Sequence, residues 1–175
     1  MSTRLTQDRL SDSSDLELSA EGVKGVVTPG VRPQPHQVAD EKALGPEHHT
    51  KFRALAARAN YLAADRIDVL FAAKEVCRLM ASPSDLALAA LKRMGRYLKD
   101  HQRVVFKMPF QQCDCIDVYS DTDWAGCVRT RKSTSGGCVM LGSHTVKAWS
   151  ATQASVALSS GEAEYYGVVR ATGVG

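Results

Sequence analysis

The sequence predicts an α+β protein in which three helices come first and a small antiparallel sheet with one further helix follows. Three observations support this prediction. Residues 1–48 show no sustained periodicity, apolar residues recur at helical spacing from residue 49, and the spacing falls to two beyond residue 102. The predicted organisation is therefore a disordered or extended tail over residues 1–48, a helical segment over 49–101 and a strand-and-helix domain over 102–175.

The predicted tail is rich in residues that interrupt regular structure. Residues 28–37, TPGVRPQPHQ, contain three prolines, which helix interiors and central strands do not tolerate. The tail is also acidic, since residues 1–48 hold 5 Lys and Arg against 8 Asp and Glu, a net charge of −3. Residues 49–175 hold 17 against 11, a net charge of +6, which is compatible with a partner that carries phosphates.

The three predicted helices are recognised by apolar stripes and by their first residues. The first helix has one stripe at helical spacing, formed by Phe52, Leu55, Ala56, Ala59, Leu62 and Ala63. The second follows Asp65 as N-cap, and its body IDVLFAAKEVCRLMA is apolar on more than one side. The third is predicted to begin with Ser82 as N-cap and Pro83 at the first helical position, and to place Leu91, Met94 and Leu98 on one face.

Beyond residue 102 the alternation predicts four short strands and a helix. The strands are expected at residues 103–110, 115–121, 136–142 and 145–151. The closing helix is expected to begin at a capping box in which Ser159 and Glu162 are three residues apart.

Composition excludes several classes of protein. The longest apolar run is too short to cross a membrane, and the N-terminus has no apolar signal region. Five cysteines, an odd number without the density of a disulfide scaffold, indicate free thiols in a reducing compartment, the cytoplasm or the nucleus rather than outside the cell. An alternative zinc module would use Cys113, Cys115, Cys127 and Cys138. Their spacing lacks the paired pattern of zinc ribbons and knuckles, so no zinc is expected.

Two acidic residues remain without a structural role in this scheme. Asp121 is predicted to be the last residue of the second strand, and Glu164 lies one turn into the last helix, beyond the capping glutamate. Carboxylates from a strand end and a packed helix could hold a divalent metal, because hard cations prefer oxygen ligands. Asp123, two residues further on and predicted to lie in the loop, is the alternative to Asp121. Solvated acidic side chains at a strand end are the other interpretation.

Basic residues cluster on the third predicted helix. Lys92, Arg96 and Lys99 share one face of it. They could form a solvated surface favoured by the helix dipole, or a patch that follows a nucleic-acid backbone.

Residues 119–167 resemble the start of the ribonuclease H domain of copia-type LTR retrotransposon Pol polyproteins. The family's typical pattern is an aromatic-S-D-x-D-W-A-G strand end, an R-K-S-T-S-G turn, an A-W-S strand, a Q-x-x-V-A-L-S-S piece and E-A-E-Y. The matching blocks occur in the same order here, at residues 119–126, 131–136, 148–150, 153, 156–159 and 162–165. Residues 52–99 are similar to the helical segment that joins polymerase and ribonuclease H in the same polyproteins.

The resemblance implies a function and a set of residues. The family's first metal-binding aspartate falls on Asp121 and its helix glutamate on Glu164. Such enzymes hydrolyse the RNA strand of an RNA/DNA hybrid with two Mg²⁺ (or Mn²⁺) ions. The cations Arg129, Arg131 and Lys132, together with those of the third helix, would then contact the hybrid's backbone. An upstream polymerase domain is implied as a partner in the same polyprotein.

The sequence also departs from the family's pattern. The family's further carboxylates come well after the E-A-E-Y block, whereas this chain stops at residue 175, and Cys127 stands where the family usually has an acid. The expected fold is therefore a partial ribonuclease H-like domain after a helical connection, and the chain is expected to be a fragment or degenerate copy with no, or very weak, nuclease activity alone. The alternative is a non-catalytic remnant that binds nucleic acid or a protein partner.

Overall fold

A computed structural model describes residues 24–174 of the chain. The prediction of a disordered or extended tail over residues 1–48 therefore lies partly outside the described residues. Within the described range the chain forms two compact units, divided between residues 104 and 105. The first is helical, and the second contains a three-stranded antiparallel sheet and one helix, so the mixed helix-and-sheet composition expected from the sequence is confirmed.

Within residues 24–104, the helical unit contains four α-helices and one short 3-10 helix. Their bounds are Pro35–Ala39 (α1), Pro46–Ala63 (α2), the 3-10 turn Ile67–Val69, Leu70–Cys77 (α3) and Asp85–Asp100 (α4). The described part of the predicted tail, residues 24–48, is therefore not extended throughout, since α1 lies within it and α2 begins three residues before the expected start. Both helices start on a proline, whose fixed backbone angle suits a first helical position and whose missing N–H costs nothing there.

The core of this unit follows the apolar stripes of the sequence. All six predicted residues of α2 are buried, and so are Leu91, Met94 and Leu98 of α4. Val69 of the 3-10 turn belongs to the same cluster, and so do Ala72, Ala73 and Val76 of α3. The predicted inward faces of α2 and α4 are therefore confirmed.

The start of α4 differs from the expectation. Its N-cap is Ser84, not Ser82, and the Ser84 hydroxyl accepts a hydrogen bond from the Ala87 amide at 3.2 Å. The Ser84 hydroxyl also donates to the Glu41 carboxylate at 2.9 Å, so a long-range contact favours Ser84 over Ser82 as the N-cap. Local sequence could not distinguish the two candidates, because both precede a favourable first turn.

An ion pair joins the 3-10 turn to the end of α4. The buried Arg66 guanidinium donates to both oxygens of Asp68, at 2.9 and 2.7 Å, and to the carbonyl oxygens of His101 and Gln102. The Tyr97 hydroxyl donates to Asp68 at 3.0 Å. Partial burial alone would raise the pKa of Asp68, but the hydrogen bonds from Arg66 and Tyr97 outweigh it and lower that pKa. Arg66 thereby ties the 3-10 turn to the two residues that directly follow α4.

The second unit contains three strands instead of the four predicted. They are Ile116–Asp123 (β1), Thr134–Leu141 (β2) and His144–Thr152 (β3), in the order β1-β2-β3, and they are followed by helix α5, Ser160–Thr172. The strand expected at residues 103–110 is not formed, because no strand of the described chain pairs with this segment. Alternating sequence alone does not make a strand when its backbone groups find no ladder to join.

Helix α5 covers one face of the sheet. Trp149 of β3 and Val139 of β2 pack with Ala171 of α5 to form the small core of this unit. Gly137 of β2 leaves room for the Trp149 ring, which lies against its Cα. Buried Trp149 is thus a core residue.

Candidate functional site

The acidic end of β1 extends two residues further than predicted. Asp121 lies inside the strand opposite Gly136, and the last residue of β1 is Asp123, opposite Thr134. The expectation that Asp121 ends the strand and Asp123 lies in the loop is therefore wrong. The Asp123 carboxylate folds over the following turn against Gly126, whereas Asp121 is exposed on the strand.

Helix α5 starts at the predicted serine, but the predicted capping box is only half formed, because the Glu162 carboxylate does not accept from the Ser159 amide. The Ser159 hydroxyl accepts a hydrogen bond from the Glu162 amide at 3.1 Å, which confirms Ser159 as N-cap. The Glu162 carboxylate accepts from the Leu158 amide at 2.7 Å and from the Tyr166 hydroxyl at 3.0 Å. Glu162 is thus engaged in structure, and Glu164 lies exposed on the next part of the helix.

A close contact fixes α5 on β1 beside the two carboxylates. A Cβ at Gly167 would lie 2.5 Å from Oγ1 of Thr122, so only glycine lets the helix approach this far. Thr122 directly follows Asp121, and Gly167 comes one helical turn after Glu164. The contact therefore brings together the two backbone segments that carry the predicted ligands.

The directions of the two side chains limit where they could meet. Successive residues of a strand point to opposite faces, so Asp121 and Thr122 leave β1 on different sides. β1 is an outer strand of the sheet, since β2 is its only neighbour in the described chain. A ligand shared by Asp121 and Glu164 would consequently lie beyond the open side of β1, where side chains from both faces can reach.

No complete metal site is formed by the described residues. Residues 24–174 contain no group of three or more His, Cys, Asp or Glu side chains arranged to hold a metal ion. The four cysteines of the alternative zinc module are all free thiols in this range. Two carboxylates supply a partial donor set, which Mg²⁺ typically completes with water and substrate phosphates.

Residues that support the site were not identified from the sequence. Gln153, at the end of β3, donates to the Ser135 hydroxyl at 2.9 Å and to the Ala163 carbonyl of α5 at 2.8 Å. It thereby ties the helix to β2. The sequence signal was its place in the Q-x-x-V-A-L-S-S block, but only the fold shows that its amide spans two elements.

The predicted cations of the β1–β2 loop have different environments. Arg131 is exposed with a positive φ of 56°, and the Lys132 ammonium donates to the Ala154 carbonyl. Arg129 is half-buried. Arg131 is therefore the one of the three that the described structure leaves exposed to solvent.

The predicted cations of α4 are also in unlike positions. Arg96 donates to the Lys24 carbonyl at 2.7 Å, in a segment that lies along the helix. Lys92 lines a groove of about 230 Å³ together with Phe52 and Leu88. Lys99 is exposed in the last turn. Two of the three are thus solvent-facing, and one is held by backbone.

No helix within residues 24–174 is long and apolar enough to cross a membrane.

Comparison with known proteins identifies relatives of different lengths. The chain is 36% identical over 118 residues to the uncharacterized mitochondrial protein AtMg00810 of Arabidopsis thaliana, covering 65% of this chain and 48% of that protein. It is 35% identical over 119 residues to the retrovirus-related Pol polyprotein from transposon RE1 of the same plant, covering 68% of this chain and 8% of the polyprotein. It is 37% identical over 109 residues to secreted RxLR effector protein 161 of Plasmopara viticola, covering 61% of this chain and 75% of the effector.

The chain therefore spans about half of the mitochondrial relative and under a tenth of the polyprotein. No protein-family model matches it, and no solved structure matches it.

Proposed function

Because the chain belongs to the family of copia-type retrotransposon Pol polyproteins, we propose that it carries the end of the reverse transcriptase region and the first half of a ribonuclease H domain. The helical unit corresponds to the connection after the polymerase, and residues 105–174 to the start of the nuclease. The single observation that supports this proposal is the close approach of Gly167 to Thr122, which packs the helix that carries Glu164 against the strand that carries Asp121. The proposed compartment is reducing, either cytoplasm or nucleus, in keeping with five free cysteines.

Asp121 and Glu164 are the proposed metal-binding residues, with Asp123 as the alternative to Asp121. A bound Mg²⁺ or Mn²⁺ would activate water and stabilise the leaving oxygen in hydrolysis of the RNA strand of an RNA/DNA hybrid. Asp121 suits this role because it is exposed on an outer strand. Asp123 suits it less, since its carboxylate lies against the turn at Gly126.

The cations would hold the hybrid by its phosphates. Arg131 is exposed in the loop that follows the acidic end of β1, and a guanidinium can bind a phosphate in bidentate fashion. Arg129 and Lys132 of the same loop, and Lys92, Arg96 and Lys99 of α4, are the further proposed contacts. An upstream polymerase domain is the proposed partner in the complete polyprotein.

Two carboxylates alone are proposed to be insufficient for efficient cleavage. Two-metal hydrolysis needs ligands that position both ions, and residues 24–174 supply no cluster of three. The chain by itself is therefore expected to bind a divalent cation weakly and to cut hybrid very slowly or not at all.

The test measures metal binding and cleavage separately. Mn²⁺ binding, followed by electron paramagnetic resonance of the free ion, should weaken by about tenfold in Asp121→Asn and in Glu164→Gln, because each loses a charged ligand. The matched control is Asp117→Asn, an exposed aspartate four residues earlier on the same face of β1. If Asp121→Asn and the control Asp117→Asn lost the same amount of Mn²⁺ affinity, the assignment of Asp121 would be contradicted.

Cleavage of a labelled RNA/DNA hybrid is measured with the same proteins in Mg²⁺ and in Mn²⁺. We expect little or no cleavage by the unsubstituted chain. Rapid cutting that Asp121→Asn abolishes and Asp117→Asn leaves intact would support the site but contradict the expected inactivity. Metal binding equal in all variants would contradict the site itself.

A second candidate function is nucleic-acid or protein binding without catalysis. It is favoured by the incomplete donor set of residues 24–174 and by the exposed Arg131. Its signature is hybrid binding that weakens with salt and needs no divalent metal. Arg131→Ala should then weaken binding to all sequences alike and reduce the salt slope by about one phosphate contact.

A further inference from the structure

The sheet has an open side along β1. In the described chain β1 pairs with β2 only, so one row of its backbone N–H and C=O groups has no strand beside it. Ile116, Val118 and Tyr119 on this strand are exposed. An outer strand with exposed apolar side chains is a template for the addition of another strand.

The segment at residues 103–110 has the sequence of a strand but no partner. Its even-numbered residues are all apolar, namely Val104, Phe106, Met108 and Phe110. Two of its odd-numbered residues are basic, Arg103 and Lys107. The apolar side chains are left exposed, and Phe110 is 96% exposed.

We propose that residues 103–110 of a second copy of this chain add to the open side of β1, so that two copies exchange these segments. Apolar and acidic side chains also lie on opposite faces of β1, as apolar and basic side chains do in the added segment. Ile116 and Val118 share the face that carries Thr122 and is covered by α5, whereas Asp117 and Asp121 share the other. The added strand would place its apolar residues beside Ile116 and Val118. Its two basic residues, Arg103 and Lys107, would lie beside Asp117 and Asp121.

Charge selects β1 over the other outer strand of the sheet. β3 is also paired on one side only, but residues 144–152 contain Lys147 and no acidic residue. Arg103 and Lys107 would face a like charge there and opposite charges on β1. Like charges directly opposite each other destabilise a strand pair.

The anchoring of Gln111 favours a partner from another copy. Its side chain donates to the Leu141 carbonyl at 2.6 Å and accepts from the Ser143 amide at 3.0 Å, next to the β2–β3 turn. Pairing within one chain would move residue 110 to the far side of Ile116, about two strand spacings or roughly 9–10 Å from Leu141. This pairing would break the Gln111 bonds, whereas strand addition by a second copy leaves them intact.

The test uses charge reversal in the complete chain. Sedimentation velocity over a wide concentration range should show the parent chain at twice its mass of 18.9 kDa. Lys107→Glu and Asp117→Lys should each weaken self-association by about tenfold, because each replaces an attractive pair by a repulsive one. An equal mixture of the two variants should restore dimers, since both exchanged strands are then complementary. Lys51→Glu, an exposed lysine of α2, is the matched control and should associate as the parent does.

The outcomes separate this proposal from its rivals and from the metal site. A parent chain that stays monomeric, or a mixture that fails to restore dimers, would overturn the proposal. Amide hydrogen exchange of residues 103–110 should be slow in the dimer and fast in the monomer. Slow exchange that does not depend on concentration would mean pairing within one chain and would also overturn it. Neither substitution alters Asp121 or Glu164. Because the added strand would occupy the side of β1 where these two residues could share a metal ion, self-association is measured without added divalent metal, so that its outcome does not depend on the metal site.

Discussion

Replacing Gly167 by alanine tests the contact that holds α5 on β1. A Cβ there would lie 2.5 Å from Oγ1 of Thr122, whereas ordinary van der Waals contacts begin near 3.4 Å. Alanine gains about 1 kcal/mol in helix propensity over glycine. Overlap with a buried side chain costs about 1–3 kcal/mol. The expected net change is a loss of about 1 kcal/mol in the free energy of unfolding of residues 105–174.

The same substitution should change sign when Thr122 is alanine. Without Oγ1 the overlap disappears, so Gly167→Ala should then stabilise the unit by up to about 1 kcal/mol. Urea denaturation followed by tryptophan fluorescence measures this, because Trp124 and Trp149 both lie in the sheet unit. Equal effects of Gly167→Ala in the two backgrounds would refute the argument from the close contact.

Two further predictions concern the helical unit. Asp68→Asn should lower the free energy of unfolding by about 1–2 kcal/mol at pH 7, because it leaves the buried Arg66 without its counter-ion. Since the pKa of Asp68 is lowered in the folded state, this stabilisation is present above the unfolded pKa of about 4 and is lost as the pH falls below it. The two proteins should therefore converge progressively in urea denaturation as the pH falls from about 4 through the lowered pKa of folded Asp68, and a difference that does not shrink over this range would contradict the ion-pair account. Ser84→Ala should cost about 1 kcal/mol by removing the α4 cap, while Ser82→Ala should have little effect in the same measurement, and the reverse order would contradict the assigned cap.

The sequence predicted best those features that depend on neighbouring residues. The stripe of α2 was confirmed in full, because a helix face repeats every three to four residues and is visible in any window of that length. Ser159 was confirmed as a cap for the same reason, since the bond it accepts comes from an amide three residues away. The strands at β1, β2 and β3 were found from alternation, although their ends moved by up to two residues.

Features that depend on distant residues were missed. The segment 103–110 alternates as well as β1 does, but a strand also needs a partner, and residues 24–174 provide none. The choice of Ser84 depends on Glu41, which lies 43 residues away. The bridging position of Gln153 depends on β2 and α5 meeting at its amide.

The sequence by itself determined the family, the helical and sheet halves, and the two carboxylates Asp121 and Glu164 as candidate ligands, because all of these are encoded in local pattern and in the order of motifs. Only the tertiary structure decided that α5 lies on β1 through Gly167 and Thr122, and that the side of β1 beyond Asp121 is open. The physical reason is that close packing and strand pairing join residues far apart in the chain. Their partners cannot be read from either segment alone.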